Sequence, residues 1–295
     1  MAISQRGYWA TQMNLPVEPM HSEVSERVAA WHRQSGEIIA NLDAPKLPEL
    51  LDACMESLVQ FDLSAIFAYP DESEPLFLYD GFRVHGTRAA LDAYVKGAYL
   101  LDPFYTACTR RVTPGLYRSR DLAPDAFFQG EYYTSWEVHP CISMDSGSLA
   151  EEVGFMMNLP GGFMAIYSLM RANSNQPFNS EDIAALRMVE PVVRAAITHH
   201  WRDLRPTPRP GDKPAWSARG EMMELAFEHF SQGILSPREQ VVVQLILRGH
   251  SAGSIARNLD IAEGTVRNHR KSIYAKLGIS SQRELFSRFI ESVLR

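Results

Sequence analysis

The chain has 295 residues, 45% of them apolar and 22% charged, with a net charge of −6; this is more than one small module needs and suits two domains with ordinary cores. No run approaches the ~18 uncharged apolar residues that span a bilayer, and residues 1–19 hold no continuous apolar segment of signal-peptide type. The three cysteines, Cys54, Cys108 and Cys141, fit neither a zinc site nor a disulfide framework, so the expected setting is a reduced cytoplasm, with no membrane partner, no metal and no cofactor.

The spacing predicts a helix over residues 22–42, opened by Ser22, and a second over 47–58, where Leu47, Leu50, Leu51, Cys54 and Leu58 share one face. Residues 63–69 read as a strand, 70–73 as a turn and 75–79 as the partner strand. Residues 87–99 and the aromatic-rich stretch 124–136 read as helices. Three apolar runs follow, at 141–144, 153–159 and 163–170, the last two joined as a hairpin by Leu159, Pro160, Gly161 and Gly162. The segment Phe178-Asn-Ser-Glu-Asp182 caps a final helix that runs to His200 and that Pro191 should kink. Helices before, between and after a mainly antiparallel sheet predict an α/β/α sandwich of the PAS/GAF sensory style. Residues 202–219 carry Pro206, Pro208, Pro210 and Pro214, which hold the backbone extended. The expected division is therefore a domain at 1–201, a linker at 202–219 and a second domain at 220–295, an α+β two-domain chain.

The second domain reverses the charge. Ten Lys/Arg against five Asp/Glu lie from Leu235 onward, a net of +5, which leaves −11 on the rest; an acidic body with a basic tail is a footprint of an attached nucleic-acid-binding module. Ser236, Pro237 and Glu239 form a capping box with Pro at its permitted position, and Gly249 ends that helix. Val242, Leu245 and Ile246 give it an apolar face. Ser251 opens a second helix with Ile255, Ala256 and Leu259 inward. Asp260 and Ile261 make a tight turn, a third helix spans 263–277 up to Gly278, and Ser280 or Ser281 caps a fourth carrying Leu285, Phe286, Phe289 and Ile290. Four helices with a tight turn between the second and third predict a helix-turn-helix. On the third helix Val266, Ile273 and Leu277 face inward, while Arg267, Asn268, Lys271 and Tyr274 face out, flanked by Arg270 and Lys276. Arg can fork onto a guanine edge, Asn can pair with adenine, and Lys can reach guanine or phosphate.

These sixty residues resemble the LuxR-type output domain, a four-helix DNA-binding module, through Leu235, Ser236, Pro237, Arg238, Glu239, Gly249, Ile255, Ala256, Leu259, Thr265, Val266, His269, Lys276, Leu277 and Gly278. The resemblance puts base reading on Arg267, Asn268 and Lys271, phosphate or framework contacts on Thr265, His269 and Tyr274, and dimerisation on Phe286, Phe289 and Ile290. Two positions depart from the family pattern: Gly253 and Ser254 replace a Lys-Glu pair, and Ala262 stands where a Ser usually caps the recognition helix, a loss of about 1 kcal/mol. The implied partners are duplex DNA, a second copy of the chain and RNA polymerase, and the implied role is transcription regulation without catalysis.

The front lacks the ordered acidic pair, strand-end Asp and later Lys of a phosphoacceptor receiver. Residues 22–200 resemble instead the architecture of the ligand-binding domain of quorum-sensing LuxR proteins, through the Asp102-Pro103 step and the closing Phe178-to-Pro191 helix. In those receptors the Asp accepts the ligand amide. Ala89 and Ala93 stand where the lactone receptors carry Trp and Tyr, and Tyr117 where Trp is usual, which points to an effector other than an acyl-homoserine lactone. Tyr94, Tyr99, Asp102, Phe104, Tyr132, Trp136 and Cys141 are the candidate lining of a small-molecule site; taken singly the aromatics suit a packed core better, and Asp102 equally suits a helix cap. The remaining alternatives are a lactone receptor and a regulator controlled by a protein partner. No phosphate-cradling glycine loop, metal spacing or nucleophile elbow favours an enzyme.

Overall fold

The computed structural model describes residues 22–70, 75–81, 94–95, 98–129, 149–172, 175–205, 226–227, 230 and 233–294. The front region is a five-stranded antiparallel sheet in the order β2-β1-β5-β4-β3, with β1 Leu63–Tyr69, β2 Leu76–Asp80, β3 Gly115–Arg118, β4 Leu149–Asn158 and β5 Met164–Ala172. The β4–β5 hairpin forms as its turn residues predict, pairing Val153 with Leu169 and Asn158 with Met164. β1 then pairs with β5, Leu63 opposite Met170. Every residue of β1 and β5 is buried, the pattern of central strands covered on both faces.

Because successive strand residues point to opposite faces, the sheet sorts its side chains into two cores. On one face α1 (Ser22–Ala40), α2 (Leu47–Glu56) and α5 (Ser180–His200) cover Ile66, Ala68, Val153, Phe155, Ala165, Tyr167 and Leu169, with Trp31 fully buried among them. On the other, α3 (Pro103–Thr109) and a 3-10 turn at Ala98–Leu101 lie against Phe67, Tyr69, Met156, Ile166 and Met170. Gly154 sets the approach of α3. A Cβ there would stand 2.6 Å from a ring carbon of Phe104, so only glycine lets that ring press on the strand.

Sequence and structure differ in places. The helix expected at 124–136 is a 3-10 turn at Phe127–Gln129 in its described part, and residues 130–136 lie outside the described residues, as do those of the helix at 87–99 other than Tyr94, Val95, Ala98 and Tyr99 and all of the run at 141–144. β3 and α4 (Ser119–Leu122) were not foreseen.

The C-terminal region is all helical: α6 Pro237–Leu247, α7 Ala252–Leu259, α8 Glu263–Leu277 and α9 Gln282–Leu294. The caps are those of the sequence. Ser236 and Glu239 close a reciprocal box, the Ser251 hydroxyl accepts from the Ser254 N–H, and Gly278 is left-handed. Asp260 makes the turn between α7 and α8 in the left-handed region, at φ 51°. Val242, Ile246, Ile255, Val266, Ile273, Leu277, Leu285 and Phe289 fill one core. The chain is thus a two-domain α+β protein, and no helix among the described residues is long and apolar enough to cross a membrane.

Candidate DNA interface and effector site

α7 and α8 are the two helices of the helix-turn-helix. α8 buries Val266, Ile273 and Leu277, which turns Thr265, Arg267, Asn268, Arg270 and Lys271 outward, all exposed. Arg267 pairs with Glu263 one turn back; at 71% and 48% exposure this pair is screened and easily exchanged for a nucleic-acid contact. Ala262 makes no side-chain cap, so the N-terminal amides of α8 gain no capping partner from that side chain. Val266, Arg267, Arg270, Lys271, Tyr274 and Ile279 line a shallow groove along this face. Arg270 lies over the Tyr274 ring, 5.5 Å from its centre.

Lys276 departs from the sequence expectation. Its ammonium donates to the buried Glu239 carboxylate at 2.7 Å, and the Ser272 hydroxyl donates to the other oxygen, also at 2.7 Å. Burial alone would raise the Glu239 carboxyl, but the hydrogen bonds from Lys276, the Ser236 amide and Ser272 outweigh it and hold the group at about 2. Lys276 thereby ties α8 to the start of α6. Phe286, Phe289 and Ile290 also differ from expectation. They are 5%, 0% and 7% exposed, and Phe289 stacks on Phe227 at 4.8 Å, so they pack within the chain.

The second candidate site lies on the α3 face of the sheet. Asp102 caps α3, its Oδ1 accepting from the Phe104 N–H at 2.7 Å, as the cap reading of the sequence holds. Its Oδ2 accepts from the Tyr94 hydroxyl at 2.6 Å, and the Tyr94 and Tyr69 hydroxyls are 2.6 Å apart. With Tyr94 donating to Asp102, Tyr69 donates to Tyr94, and a chain of three groups runs from β1 to the head of α3. Tyr94, Tyr99, Phe104 and Tyr105 are all 3% exposed or less, with Tyr99 and Tyr105 edge to face at 4.8 Å. Tyr132, Trp136 and Cys141 lie outside the described residues.

Glu152 joins this group and was missed by the sequence reading. Its side chain accepts from the Ser168 hydroxyl at 2.6 Å, and its carboxyl is pushed up by burial and then by the charge of Asp102. Asp102 is raised by burial too, against the opposing hydrogen bonds of Tyr94 and the α3 amides. Neither carboxyl meets a cation among the described residues, and both remain partly accessible although their aromatic neighbours are buried. The sequence did hold a signal: two adjacent acids in a strand must point to opposite faces. Glu151 takes the other side, where Arg118 grips it with two bonds of 2.6 and 2.7 Å and Arg120 adds a third.

An acidic sheet domain joined to an outward-facing basic recognition helix defines a DNA-binding regulator. Residues 233–289 match the family of bacterial regulatory proteins called the luxR family. Over 203 residues the chain is 27% identical to a putative HTH-type transcriptional regulator encoded in the exeN 3' region of Aeromonas salmonicida, covering 65% of this chain and 95% of that one. It is 33% identical over 121 residues, 41% of each chain, to the monoamine regulon transcriptional regulator of Klebsiella aerogenes. Among solved structures it is similar to the VqsR LBD domain from Pseudomonas aeruginosa, with a TM-score of 0.48 and 26% identity over 58% of this chain and 96% of that one. It is also similar to Escherichia coli SdiA, with a TM-score of 0.41 and 16% identity over 90% and 98%. The C-terminal domain is a LuxR-type helix-turn-helix, and the chain is similar over 65% of its length to a bacterial HTH-type transcriptional regulator.

Proposed function

We propose that the sheet domain, residues 1–201, senses a small, mainly apolar effector with a polar head, and that residues 220–295, beyond a linker at 202–219, read DNA in response. The observation that carries this reading is the Tyr69–Tyr94–Asp102 chain with Glu152 and Ser168 on the same apolar sheet face. Apolar walls with a few convergent polar tips are how small-ligand sites are built. Two carboxyls that meet no cation among the described residues suit a head that donates hydrogen bonds. On the DNA side Arg267, Asn268 and Lys271 read bases, Thr265 and Arg270 contact the backbone, and a homodimer in the cytoplasm supplies the two half-sites that genomic specificity needs, with RNA polymerase as the downstream partner.

The effector changes DNA affinity only by binding two states of the protein unequally, on a usual scale of about 1–3 kcal/mol. The test is a thermal-shift screen of the full chain against metabolites. A hit should lose affinity in Asp102→Asn and Glu152→Gln and should change affinity for the operator. Hits that bind both variants as tightly as the parent would displace the site, and hits without effect on DNA binding would leave control to a protein partner. Arg267→Ala should weaken operator binding by about 1–3 kcal/mol and relax preference at one base pair; unchanged affinity at fixed salt would remove α8 from base reading.

A further inference from the structure

Among the described residues, the sheet domain touches the helix-turn-helix at the turn that leads from α6 into α7. The Asp125 carboxylate accepts from Ser251 twice: from its backbone N–H at 3.0 Å and from its hydroxyl at 2.6 Å, one bond on each oxygen. The next amide, Ala126 N–H, donates to the Gly249 carbonyl at 2.9 Å. Phe127, 3% exposed, follows, and its backbone lies so close to Gly249 that a Cβ there would stand 2.6 Å from Phe127 Cα. Gly249 also has φ +88°. It therefore ends α6 and admits the other domain at the same point. The Arg257 guanidinium of α7 stands 4.0 Å from Asp125.

Ser251 is the N-cap of α7, the first helix of the motif. In a helix-turn-helix that helix crosses the DNA backbone while the second enters the major groove. An amide, a hydroxyl and a nearby arginine at a helix N-terminus are donors that a phosphate oxygen takes. Here a carboxylate of the same chain takes them.

We propose that Asp125 is an intramolecular stand-in for a DNA phosphate: it holds α7 against the sheet domain in the DNA-free state, and duplex DNA must displace it to seat that helix on its backbone. The contact is built to release. The side chains of Asp125 and Arg257 are 44% and 76% exposed, so their charge attraction is screened, and the hold rests on the two Ser251 bonds and the Phe127–Gly249 packing. The stretch that carries Asp125 begins at α3, so Asp102 and Asp125 stand at its two ends.

A phosphate contact is blind to sequence, so the test needs no operator. The full-length chain and its variants are titrated with a mixed-sequence DNA duplex at one fixed salt concentration. Asp125→Ala should bind at least roughly five-fold tighter, the lower end of ordinary coupling between sites. Phe127→Ala loosens the same contact without altering charge and should tighten binding as well. Asp121→Ala removes an equal charge from the exposed surface of α4 and should give only a small part of the gain. Equal gains from Asp121→Ala and Asp125→Ala would reduce the effect to bulk charge and overturn the proposal. An Asp125→Ala protein that binds no tighter than the parent would overturn it too. Because Asp125 is a half-exposed surface group, its removal leaves the fold intact, which a thermal unfolding curve of the same sample verifies.

Discussion

The two faces of the sheet bury acidic groups in opposite ways. Beneath α1, α2 and α5, Asp52, Glu151 and Asp182 are each matched by several donors. Asp52 collects three hydroxyls, from Ser64 at 2.5 Å, Tyr79 at 2.9 Å and Tyr167 at 2.5 Å. Glu151 has two arginines and the Phe178 amide, and Asp182 has Arg27 and Arg171. Beneath α3, Asp102 and Glu152 have hydroxyls and amides but no cation among the described residues. A buried polar network that is fully satisfied rigidifies; a partly satisfied one keeps capacity for another donor. One face is therefore a foundation and the other is the face on which we propose that an effector binds, and the contrast can be broken experimentally.

The largest effect should come from Asp52→Asn. A carboxylate accepts from three donors at once, whereas the single amide oxygen of Asn has two lone pairs and its NH2 meets the hydroxyls as a competing donor. At least one of Ser64, Tyr79 and Tyr167 is left stranded, at a cost of about 2–3 kcal/mol in urea unfolding. A loss below that seen for Asp102→Asn would reverse the roles assigned to the two faces. Next comes Gly154→Ala, whose new methyl meets the Phe104 ring and should cost about 1–2 kcal/mol by overpacking. A neutral result would mean that α3 is not pressed on the strand.

The pH dependence sharpens the same contrast. The Glu152 carboxyl is pushed by burial, and then by Asp102, from 4.5 to about 8. A carboxyl raised on folding holds its proton more tightly in the folded state. Its contribution is therefore complete below pH 4.5 and lost as pH rises through the window towards about 8. The melting temperature should drift down across that window, and Glu152→Gln, which mimics the protonated form, should flatten the drift. A parent whose stability rises over the same range, with no difference from the variant, would mean that Glu152 is ionised and matched in the fold.

How much of this was legible in sequence follows from the range of each signal. The C-terminal helices were legible almost to the residue because their boundaries are written in local chemistry: Ser236 with Glu239, Ser251, Asp260 and Gly278 each act within one turn of their own position. The β4–β5 hairpin was legible for the same reason, through its glycine turn. β3 was not, because Gly115–Arg118 becomes a strand only by pairing with Val153–Met156 far along the chain. The ion pair of Lys276 was not legible because its partner Glu239 sits on another helix. Asp125 and Ser251 lie 126 positions apart, and no periodicity relates them. Arg267, Asn268 and Lys271 were placed outward correctly because helical spacing alone decides which side faces in.

The smallest expected change in stability, and the most informative, is Asp102→Asn. Asn is as good an N-cap as Asp, so its oxygen can keep the Phe104 amide. The bond to Tyr94 can survive by reversal: the new amide N–H donates to the Tyr94 oxygen, and Tyr94 donates in turn to Tyr69. The reversal leaves only the Tyr69 proton to find a new acceptor, a smaller loss than at Asp52, and the cost of holding a charge in an aromatic setting disappears. The unfolding free energy should thus change by less than about 1 kcal/mol, with the sign towards stabilisation at neutral pH. What reversal cannot preserve is the acceptor. With the amide nitrogen turned into the site, a donor head on an effector meets another donor, so affinity should fall while stability does not. A variant that loses both together would mark Asp102 as a cap and anchor like Asp52, and the two faces of the sheet would then differ in degree rather than in kind.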